Sequence, residues 1–410
     1  MNTTIQHTTK YKNSALVLIP EDWEVKKFKD ILDEGKLGGN YENSEANEGV
    51  PVMKMGNLGR GVMNINKVQY LPENEKYNEE DILKEGDLLF NTRNTLDLVG
   101  KVSIWRNELP FSLYNSNLMR MKFNEKYVGS NDFMNFAFNS HYLLSQLRGI
   151  ATGTTSVAAI YGKDLNRIKF LLPLIEEQKA IANCLSTWDK AIEKQNALIA
   201  QKELSKKALM QQLLSGKKRL KGFTEEWRKF TLNDVANFIN GKAYKQEELL
   251  NEGKYKVLRV GNFFSNSNWY YSDLELDKDK YVNEGDLMYA WSASFGPRFW
   301  AGEKTIYHYH IWKVIPLELI VKDFLYYFFV FDTEMIFSNK QGGTMFHVTK
   351  GDMEKRKIKL PSLEEQTAIA NVLQCADTEI QLLKKKLDQL KEQKKGLMQV
   401  LLTGKKRLKY

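Results

Sequence analysis

Residues 172–221 return, without a gap, as residues 360–409, and no other feature limits the fold of this chain as strongly. Roughly half of the paired positions are identical, and an offset of 188 residues is too long for a stacked solenoid. In the second copy Ile369, Leu373, Ala376, Ile380, Leu383, Leu387, Leu390, Leu397 and Leu401 recur at spacings of four and three, a heptad stripe interrupted by Lys394. The first copy keeps that register with Ile181, Leu185, Trp188, Ile192, Ile199, Leu209 and Leu213, but puts Gln195, Lys202 and Lys206 on the seam. Each copy opens Leu-Pro and carries a glutamate pair in its first turn (Glu176 and Glu177; Glu364 and Glu365). Each stops at a glycine, Gly216 or Gly404, followed by Lys-Lys-Arg. About 40 helical residues at 1.5 Å apiece make a rod of about 60 Å, a spacer. Two such helices, a whole domain apart in sequence, are expected to pair antiparallel with each other. Packing on a globular core, or pairing between two copies of the chain, are the alternatives.

The spacing leaves two globular segments, so the expected organisation is a first domain at 1–171, a helical repeat at 172–221, a second domain at 222–359 and a second repeat at 360–410. The segments are diverged versions of one unit. Each opens on a tryptophan (Trp23, Trp227), then has a strand-like segment ending in Gly-Asn (PVMKMGNL with Gly56 and Asn57; YKVLRVGNF with Gly261 and Asn262). Each continues through an EGDL or EGDLM turn and strand (Gly86-Asp87; Gly285-Asp286) and closes with a Gly-Thr loop and a strand into Leu-Pro. Between the landmarks they differ: NTRNTLDLVGKVSIW stands against AWSASFGPRFWAGEK. Matched scaffolds with unmatched loops suggest two binding surfaces for different targets.

The net charge of +9 resides in the repeats, where ten Lys and Arg face five acids in the first copy and ten face six in the second. The domains are neutral overall, so a nucleic-acid face on them requires segregated charge. The N-terminus has no signal-peptide pattern, and the longest apolar run, FLYYFFVF at 324–331, is far below the ~20 residues of a membrane span, so a cytoplasmic protein is expected. Cys184 and Cys375 read as reduced thiols. No phosphate loop, nucleophile elbow or zinc-protease motif occurs. His308 and His310 would share one strand face without a third ligand, a weak metal signal.

The paired LPLIEEQKAIANCL and LPSLEEQTAIANVL starts, with the ALMQQLLSGKKRLKGF and GLMQVLLTGKKRLKY ends, resemble the specificity subunits of type I restriction-modification systems. The resemblance covers nearly the whole chain and implies an α+β fold. Two target-recognition domains would be joined by two long antiparallel coiled-coil helices in a pseudo-two-fold, near-circular layout, with Tyr410 near the start of the first domain. It implies a non-catalytic subunit that reads a bipartite double-stranded DNA site, one half per domain. It implies no cofactor on this chain and two copies of an adenine methyltransferase subunit that uses S-adenosylmethionine, together with restriction subunits. Duplicated helices would give two identical partners equivalent surfaces. The two rival readings are a scaffold that binds proteins and an enzyme with an unfamiliar site.

Loops after the landmarks hold side chains able to contact base edges or phosphate. The candidates are Asn57, Arg60, Asn91, Arg93, Asn94, Thr154 and Thr155 in the first domain. In the second they are Arg259, Asn262, Trp291, Ser292, Ser294, Arg298 and Thr344.

Overall fold

Each globular segment begins and ends on one two-stranded antiparallel ladder, which explains why both open on Trp and close on Leu-Pro. Glu24–Lys27 pairs with Lys169–Leu172, and Arg228–Thr231 pairs with Lys357–Leu360. The computed structural model describes residues 10–409 except 43, 46, 47, 293 and 339–347. It divides into two compact units, one of Met1–Asn196 with Lys386–Tyr410 and one of Ala197–Lys385. Each unit thus holds one domain, part of its own helical repeat and part of the other repeat. Among the described residues no helix is long and apolar enough to cross a membrane.

In the first unit an antiparallel sheet runs in the order Leu32–Leu37, Leu118–Phe123, Leu88–Asn91, Val102–Ile104. Its strand Leu88–Asn91 is buried on both faces. Leu88 and Phe90 pack into the main core with the helices Asn131–Phe138 and His141–Ile150, while Leu89 faces Met53, Leu58 and Trp105. Phe138 and Phe170 meet edge to face at 4.9 Å in that core. A smaller sheet sets Leu113–Tyr114 parallel to Val50–Met53, and a three-stranded ribbon joins Arg93–Asn94, Ala158–Ala159 and Thr152–Gly153.

The second unit repeats the plan with the order Ala236–Asn240, Ile311–Pro316, Leu287–Ser292, Ser294–Phe299. The run 324–331 belongs to the helix Lys322–Ser338, and its apolar character is core character: Phe324, Leu325 and Phe329 are fully buried against Tyr289 and Trp312. Its smaller sheet sets Thr305–Tyr307 parallel to Tyr255–Leu258. Both Gly-Asn landmarks fall just past the strand, in the helical turns Met55–Asn57 and Val260–Phe264, rather than at the strand end.

The long helices are Ile175–Leu214 and Leu363–Leu401. Gly216 and Gly404 end them in the left-handed region, at φ 70° and 71°, where a side chain would be strained. The glutamates of the first turns do more than complement a dipole. Glu177, fully buried in the first unit, accepts from Trp23 Nε1 (3.0 Å) and from Arg407 of the other repeat (2.9 and 2.6 Å). Glu365 in the second unit does the same with Trp227 Nε1 (3.2 Å) and Arg219 (2.6 and 2.7 Å). Arg407 also binds Asp22 through two hydrogen bonds, and its hydrogen bond to Glu177 raises its pKa above the usual guanidinium value.

The glutamine that follows is a second lock. Gln178 accepts from Gly129 N and donates to Tyr127 O and Pro173 O; Gln366 accepts from Val321 N and donates to Leu319 O and Pro361 O. The charged seam positions are matched as well. Lys394 pairs with Asp189 in the first unit, and Lys206 with Asp377 and Lys202 with Glu379 in the second. Lys394 and Lys206 further lie over the rings of Phe136 (5.0 Å) and Tyr327 (5.7 Å). Within each unit the partners run in opposite directions along the two helices. Tyr410 lies outside the described residues, but Arg407 on Asp22 and Tyr11 Oη on Gly404 O place the end of the second repeat against the first domain's start.

Candidate nucleic-acid interface

The parallel strand pairs leave a groove at the same place in each domain. Val52 and Met53 lie opposite Leu113 and Tyr114 in the first, and Val257 and Leu258 opposite Ile306 and Tyr307 in the second. The wall that follows is Asn115, Ser116 and Asn117 in one domain and His308, Tyr309 and His310 in the other. Opposite it run Lys54 to Asn57 and Arg259 to Asn262. The parallel pairs are matched by one glycine each. A Cβ on Gly38 would fall 2.0 Å from Tyr114 O, and one on Gly241 2.1 Å from Tyr307 O, so just past the strands Leu32–Leu37 and Ala236–Asn240 the chain approaches the parallel pair this closely only as glycine. The grooves enclose about 860 and 690 Å³.

Their linings differ in chemistry. The first adds Asn40, Asn66 and Gln69, with Lys54 Nζ bound to Gln69 Oε1 and Lys67 and Glu45 also lining it, so it presents amides beside two lysines and one acid. The second is aromatic and imidazole-rich. Arg259 lies over the Tyr270 ring at 5.1 Å, and His308 and His310 have ring centres 4.8 Å apart. Burial, His310 and Arg259 push His308 down to about 4. The two histidines sit in a turn beyond the strand Thr305–Tyr307, not on one strand face, and among the described residues no group could hold a metal ion.

The candidates drawn from the sequence divide by what their side chains are already doing. Asn57 is buried: its Oδ1 accepts from Lys54 N, and its Nδ2 donates to Asn64 O and Lys67 O, so it shapes a groove loop instead of facing a base. Asn262 donates likewise to Asn266 O and Asn268 O. Asn91 is fully buried at its strand's end and accepts from Arg93 N, which removes it as a base reader. Trp291 supports the second groove's wall from outside the lining, donating to Tyr309 O (2.9 Å) and stacking on Trp312 at 5.6 Å, while Ser292 and Arg259 line the groove.

Arg93, Asn94, Thr154 and Thr155 come together on the three-stranded ribbon. Arg93 lies opposite Ala159, Asn94 opposite Ala158, and Leu96 N donates to Thr155 O. Arg93 is exposed, and the hairpin tip at 152–157 is exposed throughout. Asn94 Oδ1 accepts from Thr95 N, and Thr154 Oγ1 from Val157 N. The ribbon adjoins the first groove, because Thr92 N and Oγ1 both donate to Asn117 O. Arg60 lies outside that groove and donates to Asp97 O. In the second domain Ser294 is exposed on its hairpin opposite the groove residue Ser292, and Arg298 lies over Phe264 at 5.0 Å; neither lines the groove, and Thr344 lies outside the described residues.

The wall residues were missed by sequence reasoning. The available signal was SLYNSNL beside TIYHYHI, a shared tyrosine followed at equal spacing by unlike polar residues.

Comparison with known proteins agrees with this duplicated design. The model of the type I restriction modification DNA specificity domain matches twice, at residues 20–201 and 224–392. The chain is 28% identical to a putative type I restriction enzyme MjaX specificity subunit of Methanocaldococcus jannaschii, over 97% of each chain. It is 26% identical to the MjaVIII specificity subunit of that organism, over 97% of this chain and 96% of the other. In fold it is similar to a chain from a structure of type I R-M system assembly (TM-score 0.63, 17% identity, covering 94% of this chain and 99% of that one). It is similar also to the type I S subunit of M. genitalium (0.53, 18%, covering 92% and 96%).

Proposed function

Because the chain belongs to the type I restriction modification DNA specificity family, we propose that it reads a bipartite, asymmetric double-stranded DNA site, one half per domain, and performs no catalysis itself. The observation that carries this reading is the pair of equivalent grooves with unlike linings. One scaffold used twice, with Asn115 and Asn117 on the wall of one groove and His308 and His310, faced by Arg259, in the other, suits two different short sequences. In the first domain Arg93 and the 152–157 hairpin extend the reading surface, with Asn94, Thr154 and Thr155 beside them. In the second Arg259 and Ser292 act from the groove, and Ser294, Arg298 and Thr344 complete the reader set. Lys and Arg side chains and main-chain amides grip phosphate.

On this reading the two long helices form an antiparallel coiled coil that spaces the readers, and the chain closes into a near-circular layout with a pseudo-two-fold relation. The seam ion pairs and the matched Arg–Glu–Trp contacts within each unit support it. The duplicated surfaces would receive two copies of an adenine methyltransferase subunit, whose S-adenosylmethionine supplies the methyl group, and restriction subunits join that complex in the cytoplasm. The test is to map methylated adenines across a genome with and without this chain, its methyltransferase partner held constant. A new motif of two short halves around a fixed unspecified gap is the expected result. Assembly without any motif would favour a protein-binding scaffold.

A further inference from the structure

Three cations from separate stretches of the first domain converge beside the ribbon. Gly61, next to Arg60, donates its amide to Val102 O at 2.8 Å, and Val102 follows Lys101. On the other side of Lys101, a Cβ on Gly100 would fall 3.6 Å from Leu147 Cβ, and Leu147 precedes Arg148 on its helix. Burial and the charge of Arg148 hold the Arg60 guanidinium below its usual range, and burial and the charge of Arg60 do the same to the Lys101 ammonium. Among the described residues none of the three forms an ion pair with a carboxylate; Arg60 Nη2 donates to the main-chain oxygen of Asp97 at 3.1 Å. Lys101 is partly buried, while Arg60 and Arg148 stay exposed and open to a ligand. Like charges gathered without an anion cost stability, and a bound anion would remove that cost.

We propose that Arg60, Lys101 and Arg148 form the site at which the first domain grips a phosphodiester of the DNA backbone. The proposal rests on the DNA-reading function above and gives Arg60 a task other than base reading. The neighbouring loop joins the cluster to the reading surface, since Asp97 O takes the Arg60 hydrogen bond while Leu96 N donates to Thr155 O. A phosphate held here anchors the duplex beside Arg93 and the exposed hairpin, contributing affinity and register but no sequence information.

The experiment uses the chain assembled with its methyltransferase partner and two duplexes, one carrying the mapped motif and one with the first half-site scrambled. Binding is measured against salt for the unaltered chain and for Arg60→Gln, Lys101→Gln, Arg148→Gln and the charge-keeping Lys101→Arg, all checked for unchanged melting temperature. Each Gln variant is expected to weaken both duplexes several-fold and by the same factor, and to lower the salt slope by about 0.9. Lys101→Arg should keep the slope, and the methylated motif should stay the same. Unchanged affinity and slope in the Gln variants, while the unaltered chain prefers the motif duplex, would overturn the phosphate site alone. A loss confined to the motif duplex, or a changed motif, would overturn it in favour of base reading. If the unaltered chain itself shows no preference, the DNA-reading function fails and this proposal with it.

Discussion

Asn57 and Arg93 come from the same kind of sequence argument, a polar side chain just beyond a landmark, and the fold gives them different work. Arg93 projects from an exposed ribbon, so Arg93→Ala is expected to cost about 1–3 kcal/mol of discrimination in one half-site and to leave the other half unchanged. Methylation mapping checks it: a motif unaltered in sequence and extent means that Arg93 does not read. Asn57→Ala should act on stability instead. Its three main-chain partners would lose the side-chain group they bond, a loss of about 1–3 kcal/mol in denaturant unfolding with the motif unchanged. His308 supplies a pH dependence. Burial holds it unprotonated to about pH 4 in the folded chain, whereas the unfolded chain takes up that proton near pH 6.5. The unfolded state therefore binds more protons between those values, and stability falls as pH drops from about 6.5 towards 4. His308→Gln should reduce the drop in melting temperature between pH 7 and pH 5; an equal drop would remove His308 as its source. Side-chain type was legible at these positions, but its use was not, because whether an asparagine faces solvent or its own loop is decided by the turn around it.

At the scale of the element, the repeated motif has a physical explanation that heptad counting does not give. Glutamate, glutamine and the distant arginine form one buried joint per unit, in which the start of one repeat is fastened by the end of the other. Glu177→Ala would leave Arg407 and Trp23 Nε1 without their shared acceptor and is expected to destabilise the chain by about 3 kcal/mol. Glu177→Gln keeps an acceptor for the indole and should cost less; equal melting temperatures for both variants and the parent would show that the joint carries no stability. Much of this architecture was legible. The Leu-Pro starts, the glycine stops and the EGDL turns all stand where the pattern put them, because local backbone chemistry governs them. The polar seam was legible as a departure from apolar pattern but not as a solution, since the acids that pair with Lys206 and Lys394 lie 171 and 205 residues away. The grooves were hidden for a related reason: parallel strand pairing joins Val52 to Leu113, and no local spacing announces it.

At the scale of the molecule, the proposed spacer makes a geometric demand that can be tested without touching either reader. Both long helices pass from one unit to the other, the first between Asn196 and Ala197 and the second between Lys385 and Lys386. A heptad inserted at one of these points alone adds a stripe with no antiparallel partner and shifts every seam pair on one side of it, such as Lys206 with Asp377. A heptad inserted at both keeps each unit's own pairs and lengthens the rod by about 10 Å, at 1.5 Å per residue. That is about three base pairs of duplex at 3.4 Å each. If the helices set the separation of the readers, the double insertion should yield a methylated motif whose two halves are unchanged and whose gap is longer by about three base pairs. The single insertions should weaken or abolish methylation. A double-insertion chain that folds and methylates with the original gap would mean that the helices do not measure the distance, and that the DNA rather than the protein adjusts to bring the half-sites to the grooves.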